Sequence, residues 1–235
     1  VITHETNHEK IGFGYDDTFP VLSIVDPDLM MTVPPDLTAY QGFDALFHST
    51  EGYINKYANV MSDLLALKAI ELVGKHLAMA VRDPGNKEAR AGMALANTLS
   101  GMVEVVSGCT SEHSMEHALS AFHPDLAHGA GLIMVSEAYY THFARVHACD
   151  QRLVDMAMAL GKSDAKEPMD FVKALVKLQD DCGVCHLKMS EYGVRRDDME
   201  KYVHNARTAM GQLFAADPAP LSDPDVLAIY QYSYR

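Results

Sequence analysis

From Pro35 onward the apolar residues of this chain recur at helical spacing, and they do so over almost all of the remaining sequence. A chain patterned this way buries its apolar faces by packing helix against helix, so the expected class is all-α. Asp36 is placed to cap a helix running to about Asn55, with Leu37, Tyr40, Phe43, Ala45 and Phe47 inward. Ser62 or Asp63 opens a second helix, nearly buried on its pattern, that reaches Arg82. Asp83-Pro84-Gly85-Asn86 is a turn, and a third helix follows from Lys87 to about Ser107. Its small residues, Gly92, Ala94, Ala96, Ser100 and Gly101, predict close packing and a central position. Further helices are expected at 112–122, 128–147, 150–160, 168–182, 197–214 and 223–233, with Gly161 and Gly183 as C-terminal caps.

The first residues read differently. Val1–Thr3 is a strand by composition, and Val21-Leu22-Ser23-Ile24-Val25 a second. Two strands alone are marginal, so they are expected to pair with something else. The division is therefore a short hairpin-like β lead-in over 1–26 and a multi-helix domain over 27–235.

A net charge of −13 excludes a nucleic-acid backbone or an anionic membrane as partner. No apolar run approaches the roughly 20 residues that span a bilayer. Four cysteines, Cys109, Cys149, Cys182 and Cys185, do not make a disulfide framework and fit a reducing, cytoplasmic setting.

The chemistry lies in the placement of the histidines. Asp44 and His48 stand four residues apart on an expected helix, so both point to one face. His113 and His117 repeat that spacing, and His128 opens the next helix beside Gly129 and Gly131. A single Asp/His pair at this spacing is more often a surface hydrogen bond than a metal site. Here the Asp44–His48 segment is apolar, where unpaired polar groups are costly. One carboxylate with several imidazoles suits Zn²⁺ or Fe²⁺.

Two short motifs offer other readings. His113-Ser114-Met115-Glu116-His117 fits the HxxEH pattern of inverted zinc peptidases, with Glu116 as base. Cys182-Gly183-Val184-Cys185-His186 fits the CxxCH attachment pattern for haem, against which Gly183 makes equal sense as a helix stop. A non-catalytic metal-binding domain is a further alternative.

Taken together, Ser23–Leu29, Thr38–His48, Glu112–Ser120, Ala127–Gly131, Leu187–Gly193 and Asp225–Tyr230 give the chain a specific likeness. From Val1 to Arg235 it resembles the iron-containing (group III) alcohol dehydrogenase family. The fold implied is the helical domain shared by the iron dehydrogenases and dehydroquinate-synthase-like proteins. The resemblance implies Asp44, His48, His113 and His128 as metal ligands, holding Fe²⁺ or Zn²⁺. It implies His117 as a catalytic residue that also faces the nicotinamide of NAD or NADP. Glu116 is then a residue behind the metal ligands or on the surface. Two departures stand out: the stretch from His117 to His128 is one residue longer than the family's, and the CxxCH run has no family counterpart.

The family also carries an N-terminal dinucleotide-binding domain with a Gly-Gly-Gly-Ser phosphate loop, and no such loop occurs in this sequence. The chain is therefore expected to be the metal-binding half of an iron-dependent NAD(P) alcohol dehydrogenase, inactive alone. A small alcohol, aldehyde or ketone is the implied substrate, and a homo-oligomer the implied assembly. The strands over 1–26 are expected to lack their sheet partners and so to be disordered, rearranged or paired with another copy of the chain.

Overall fold

The computed structural model describes all of residues 1–235 and contains nine α-helices and one two-stranded sheet. The sheet is a hairpin: β1 (Ile2–His4) pairs antiparallel with β2 (Glu9–Ile11), Thr3 opposite Lys10. The turn between them is closed by His8, which adopts a left-handed backbone with φ 52°. The expected strand at 21–25 does not form. Val21, Leu22, Ile24 and Val25 are exposed coil that pairs with neither strand of the single sheet, and an unpaired stretch leaves its backbone groups to water. The first strand pairs instead with β2, so the expected hairpin-like lead-in is present but rests on Glu9–Ile11 rather than on 21–25.

The helices are α1 (Pro35–Ile54), α2 (Val60–Arg82), α3 (Lys87–Ser107), α4 (Ser111–Phe122), α5 (His128–Arg145), α6 (Asp150–Ala159), α7 (Met169–Asp181), α8 (Met199–Met210) and α9 (Asp223–Ser233). Their starts are set differently from the sequence reading at two places. Pro34, not Asp36, is the cap residue of α1, and no side chain caps it. α2 begins at Val60, where Asn59 accepts from the Met61 and Ser62 amides and Ser62 answers the Asn59 amide. Gly161 and Gly183 do stand just past α6 and α7 with positive φ, relieving the last carbonyls.

α1, α2 and α3 pack as one group, and α5 joins them to α4, α7 and α9. The centre is α4 and α5, not α3. Eleven residues of α4 are buried, whereas α3 leaves Leu95, Met102, Val105 and Val106 exposed. Nor is α2 nearly buried: Val60, Met61 and Leu64 face solvent. Small residues on α3 let one face approach α1 and α2 closely; they do not place the helix in the middle. No helix is long and apolar enough to cross a membrane.

One contact fixes the arrangement that matters below. A Cβ on Gly129 would lie 2.2 Å from the Tyr40 carbonyl oxygen, so the first turn of α5 meets the α1 backbone directly. Gly131, half a turn on, leaves room for the Glu116 side chain of α4. A Cβ on Gly101 of α3 would meet nothing within 4 Å. Gly129→Ala is therefore expected to destabilise the protein by about 1–3 kcal/mol through forced separation of α1 and α5. Gly101→Ala, in an open helical position, is expected to stabilise it by about 0.5–1 kcal/mol. Thermal unfolding of the two variants checks the opposite signs.

Candidate metal centre

Asp44, His48 and Glu51 occupy positions i, i+4 and i+7 of α1, so one stripe of that helix carries all three. α4 supplies His113, Glu116 and His117, and α5 supplies His128 from its first turn. These elements bring the four expected ligands together. Asp44 Oδ1 lies 3.4 Å from the Nε2 atoms of His48, His113 and His128 alike. Donors about 2.0–2.2 Å from a tetrahedral centre stand roughly 3.3–3.6 Å apart, and the three distances from Asp44 Oδ1 fall in that range. Asp44, His113 and His128 lie mutually within 4.8 Å; His48 joins through Asp44 and also sits within that range of Cys109 and His113.

Asp44 Oδ1 and His113 Nε2 are buried and have no hydrogen-bond partner. An unpaired buried polar atom is costly, and two facing each other fit a cation between them. The donor set, one carboxylate and three imidazoles, is also what Fe²⁺ or Zn²⁺ takes. A cavity of about 250 Å³, lined by Met30, Gln41, Arg90, Met93 and Asn97 among others, reaches Asp44 from the α1–α3 side.

Behind each imidazole stands an anionic or acidic group. His113 Nδ1–H donates to Glu51, and His128 Nδ1–H to Glu116. His48 Nδ1 is 3.1 Å from Cys109 Sγ and 3.8 Å from Glu104 Oε2. Lys10, from β2, donates to Glu116 Oε2 (3.3 Å) and Ser120 Oγ (2.8 Å) and lies 3.2 Å from His128 Nδ1.

The electrostatics follow from this ring. Burial pushes the Asp44 carboxyl up, but the facing imidazoles of His113, His128 and His48 hold it well below its ordinary value. Burial and the neighbouring His113 lower His48, yet Cys109 and Asp44 outweigh them and lift it to about 9. Burial raises the Glu116 carboxyl, and His128 and Lys10 bring it down to about 2.

His117 stands beside the cluster. Its ring is 5.2 Å from that of His128 and 6.3 Å from that of His113. Burial drives its pKa down to about 3, so it is neutral, and its Nδ1–H donates to the Lys10 carbonyl at 3.0 Å. Glu116 is fully buried and committed to His128 and Lys10, which leaves it no approach to a water as a base. Cys182, at the end of α7, is buried in the core, while Cys185 of the same motif is exposed.

The sequence reading passed over Glu51, Lys10 and Cys109. Glu51 had a signal, since it continues the Asp44–His48 stripe by three residues. Lys10 and Cys109 had none, because only the tertiary fold brings them here.

The most similar sequences and structures point one way. The Fe-containing alcohol dehydrogenase family, C-terminal, matches residues 38–234. Alcohol dehydrogenase 4 of Schizosaccharomyces pombe is 34% identical over 98% of this chain and 54% of its own length. Long-chain-alcohol dehydrogenase 1 of Geobacillus thermodenitrificans is 30% identical over all of this chain and 59% of its own length. An archaeal alcohol dehydrogenase from a Red Sea brine pool superposes with a TM-score of 0.93 at 33% identity, covering 99% of this chain and 59% of that one. The chain thus spans between half and two thirds of the length of these relatives.

Cation binding here has a definite pH sign. His48, raised to about 9, carries a proton at neutral pH in the cation-free protein, and a bound ion must displace it. Apparent affinity for Zn²⁺ is therefore expected to rise by about tenfold per pH unit for each displaced proton, levelling near pH 9. The contribution of His48 to stability runs the other way. It is present in full below the unfolded value of 6.5 and is lost as pH rises through about 9. Competition titrations between pH 6 and 9 check the first; a flat profile would contradict it.

Proposed function

The chain belongs to the Fe-containing alcohol dehydrogenase family, and we propose that it is the metal-binding half of an NAD(P)-dependent alcohol dehydrogenase. The observation that carries this reading is the 3.4 Å convergence of three Nε2 atoms on Asp44 Oδ1, two of the four donors being buried and unpartnered. Asp44, His48, His113 and His128 would hold the ion, Fe²⁺ or Zn²⁺. When bound, it supplies Lewis acidity that favours loss of the proton from an alcohol, or polarises a carbonyl in the reverse direction.

The remaining work falls to the chain's own side chains. Asp44 neutralises part of the ion's charge and, through its i, i+4 relation to His48, fixes the spacing on a rigid helix. His117 is neutral and donates from Nδ1, so Nε2 carries its lone pair, and with a pKa of about 3 it would hold a proton there only in passing. Placed next to His128, it is assigned two roles: moving the alcohol proton and packing against nicotinamide. Hydride transfer between a small alcohol and NAD⁺ or NADP⁺ needs a dinucleotide held over this face. The pyrophosphate contacts for that come from a Gly-rich loop and helix N-terminus of a kind residues 1–235 do not carry. Such a face would be completed by the part of the relatives that this chain does not span. The assembled enzyme is proposed to be a cytoplasmic homo-oligomer whose chains divide, as in the sequence reading, near residue 26.

The peptidase reading of His113–His117 loses support from the site. The HxxEH pattern needs both histidines on one ion and the glutamate open to water. Here His113 faces Asp44, His117 groups with Glu116 and His128 rather than with His113, and Glu116 is enclosed.

The test is metal binding by the chain alone. Asp44→Ala and His113→Ala are expected to weaken Fe²⁺ or Zn²⁺ affinity by orders of magnitude, while His117→Ala leaves it within a fewfold of the parent. Calorimetric titration of the metal-loaded chain with NAD⁺ and NADP⁺ is expected to show no micromolar binding. Full metal affinity in Asp44→Ala would sink the ligand assignment, and tight dinucleotide binding would sink the division of labour between halves.

A further inference from the structure

Two of the imidazoles around Asp44 rest on fully buried carboxylates, and the two carboxylates are held in unlike ways. Glu51 has both oxygens engaged. Oε1 accepts from His113 Nδ1, and Oε2 accepts from the Thr110 amide at 2.6 Å and the Thr110 hydroxyl at 2.9 Å. Every group facing Glu51 is therefore a donor, and only a residue with two acceptor oxygens satisfies all of them. Glu116 has one oxygen engaged. Oε2 accepts from His128 Nδ1 and from Lys10, while Oε1 is buried without a partner.

We propose that Glu51 is a positioning residue of the metal centre: it fixes the proton of His113 on Nδ1 and so aims the Nε2 lone pair at the ion beside Asp44. The proposal rests on the reading of this cluster as a metal site. An imidazole that ligates through Nε2 needs its other nitrogen to donate, and the group that receives that hydrogen bond selects the tautomer. Thr110 is the anchor. It is the cap residue of α4, and its amide and hydroxyl hold the Glu51 carboxylate between α1 and the first turn of α4.

The asymmetry makes glutamine an informative substitution at both sites. In Glu51→Gln the single amide oxygen is drawn to the Thr110 amide and hydroxyl, which leaves the –NH₂ facing His113 Nδ1. That nitrogen must then accept, and the imidazole proton moves to Nε2, the atom needed by the ion. In Glu116→Gln the amide oxygen takes the place of Oε2 and the –NH₂ takes the place of the unpartnered Oε1. His128 keeps its Nδ1–H, and Nε2 stays free. Two substitutions with the same change of charge and the same burial therefore differ in outcome.

The experiment is Zn²⁺ titration of the full chain and of three variants against a competing chelator, with thermal unfolding of each metal-free protein alongside. Glu51→Gln is expected to weaken Zn²⁺ binding by about 10–100-fold, and Glu116→Gln by less than about tenfold. Glu112→Gln controls for burial, since Glu112 is on α4 with Glu116, fully buried like Glu51, and bonded to no imidazole; it is expected to bind as the parent does. Nitrogen-15 spectra of the Zn²⁺-loaded parent chain give a second reading, with the His113 proton expected on Nδ1. Should Glu51→Gln not fold, that spectrum decides alone. Parent-like affinity in Glu51→Gln, an equal loss in Glu112→Gln, or a His113 proton on Nε2 would each overturn the proposal. Failure of the parent chain to bind Zn²⁺ at all would instead remove the metal reading, and the proposal with it.

Discussion

Everything in this fold that bears on chemistry depends on a cluster of ionisable groups taken out of water around Asp44. Burying a carboxylate and imidazoles is unfavourable unless each finds a partner, and inside a protein such groups neutralise, pair or take up a cation. Most of the polar atoms here do pair. Glu51 is satisfied by His113 and Thr110, and Glu116 by His128 and Lys10. At the centre, Asp44 Oδ1 and His113 Nε2 face each other at 3.4 Å without a hydrogen bond, and farther out Glu116 Oε1 and both Glu112 oxygens are unpartnered as well. The hydrogen bonds behind the imidazoles are thus made, and the two unpaired atoms at the centre, a carboxylate oxygen and an imidazole nitrogen, are ones that a cation would satisfy.

The helical packing is what holds that cluster in register. α4 is polar in composition for a helix so deeply buried, and Ser111, Glu112, His113, Ser114, Glu116 and His117 all lie inside. Several of these side chains have partners on other elements. Ser114 donates to the Ala206 carbonyl of α8, and the Ser111 amide donates to Asp217. The backbone contact of Gly129 with Tyr40 brings α5 against α1 and carries His128 to Asp44. The N-terminal hairpin is also part of this scaffold. Its Lys10 reaches Glu116 and Ser120, its His8 ring stacks on Phe122 at 4.3 Å, and its His8 carbonyl accepts from Asn205 at 2.7 Å.

The helices were legible because period 3.6 persists after Pro35 and because Gly161 and Gly183 mark their stops. Asp44 and His48 were legible for a related reason, since i, i+4 spacing converts sequence separation into a shared face; the same spacing pairs His113 with His117, and His128 stood out only as a helix start beside Gly129 and Gly131. What could not be read was anything set between elements. α3 looked central because its small residues signal close packing, but close packing on one face is compatible with exposure on the other. Val21–Val25 looked like a strand because β-branched residues favour extended backbone, but strand formation needs a paired edge, and this stretch pairs with neither strand of the sheet. Lys10 is 106 residues from Glu116 in sequence, and no local pattern connects them.

The same distinction explains why HxxEH misleads here. The motif records that His113, Glu116 and His117 fall within one and a half turns of a helix, so all three point toward one side of α4. It does not record what the neighbouring helices bring to that side. α1 delivers Asp44 to His113 Nε2 and Glu51 to His113 Nδ1; α5 delivers His128 onto Glu116; β2 delivers the Lys10 carbonyl to His117. Each of the three motif residues is thereby given a different partner and a different task. His113 lies between Asp44 and Glu51, Glu116 supports another imidazole, and His117 is kept neutral beside them. Spacing along one helix makes a set of residues available, and the helices packed against it decide which of them act together.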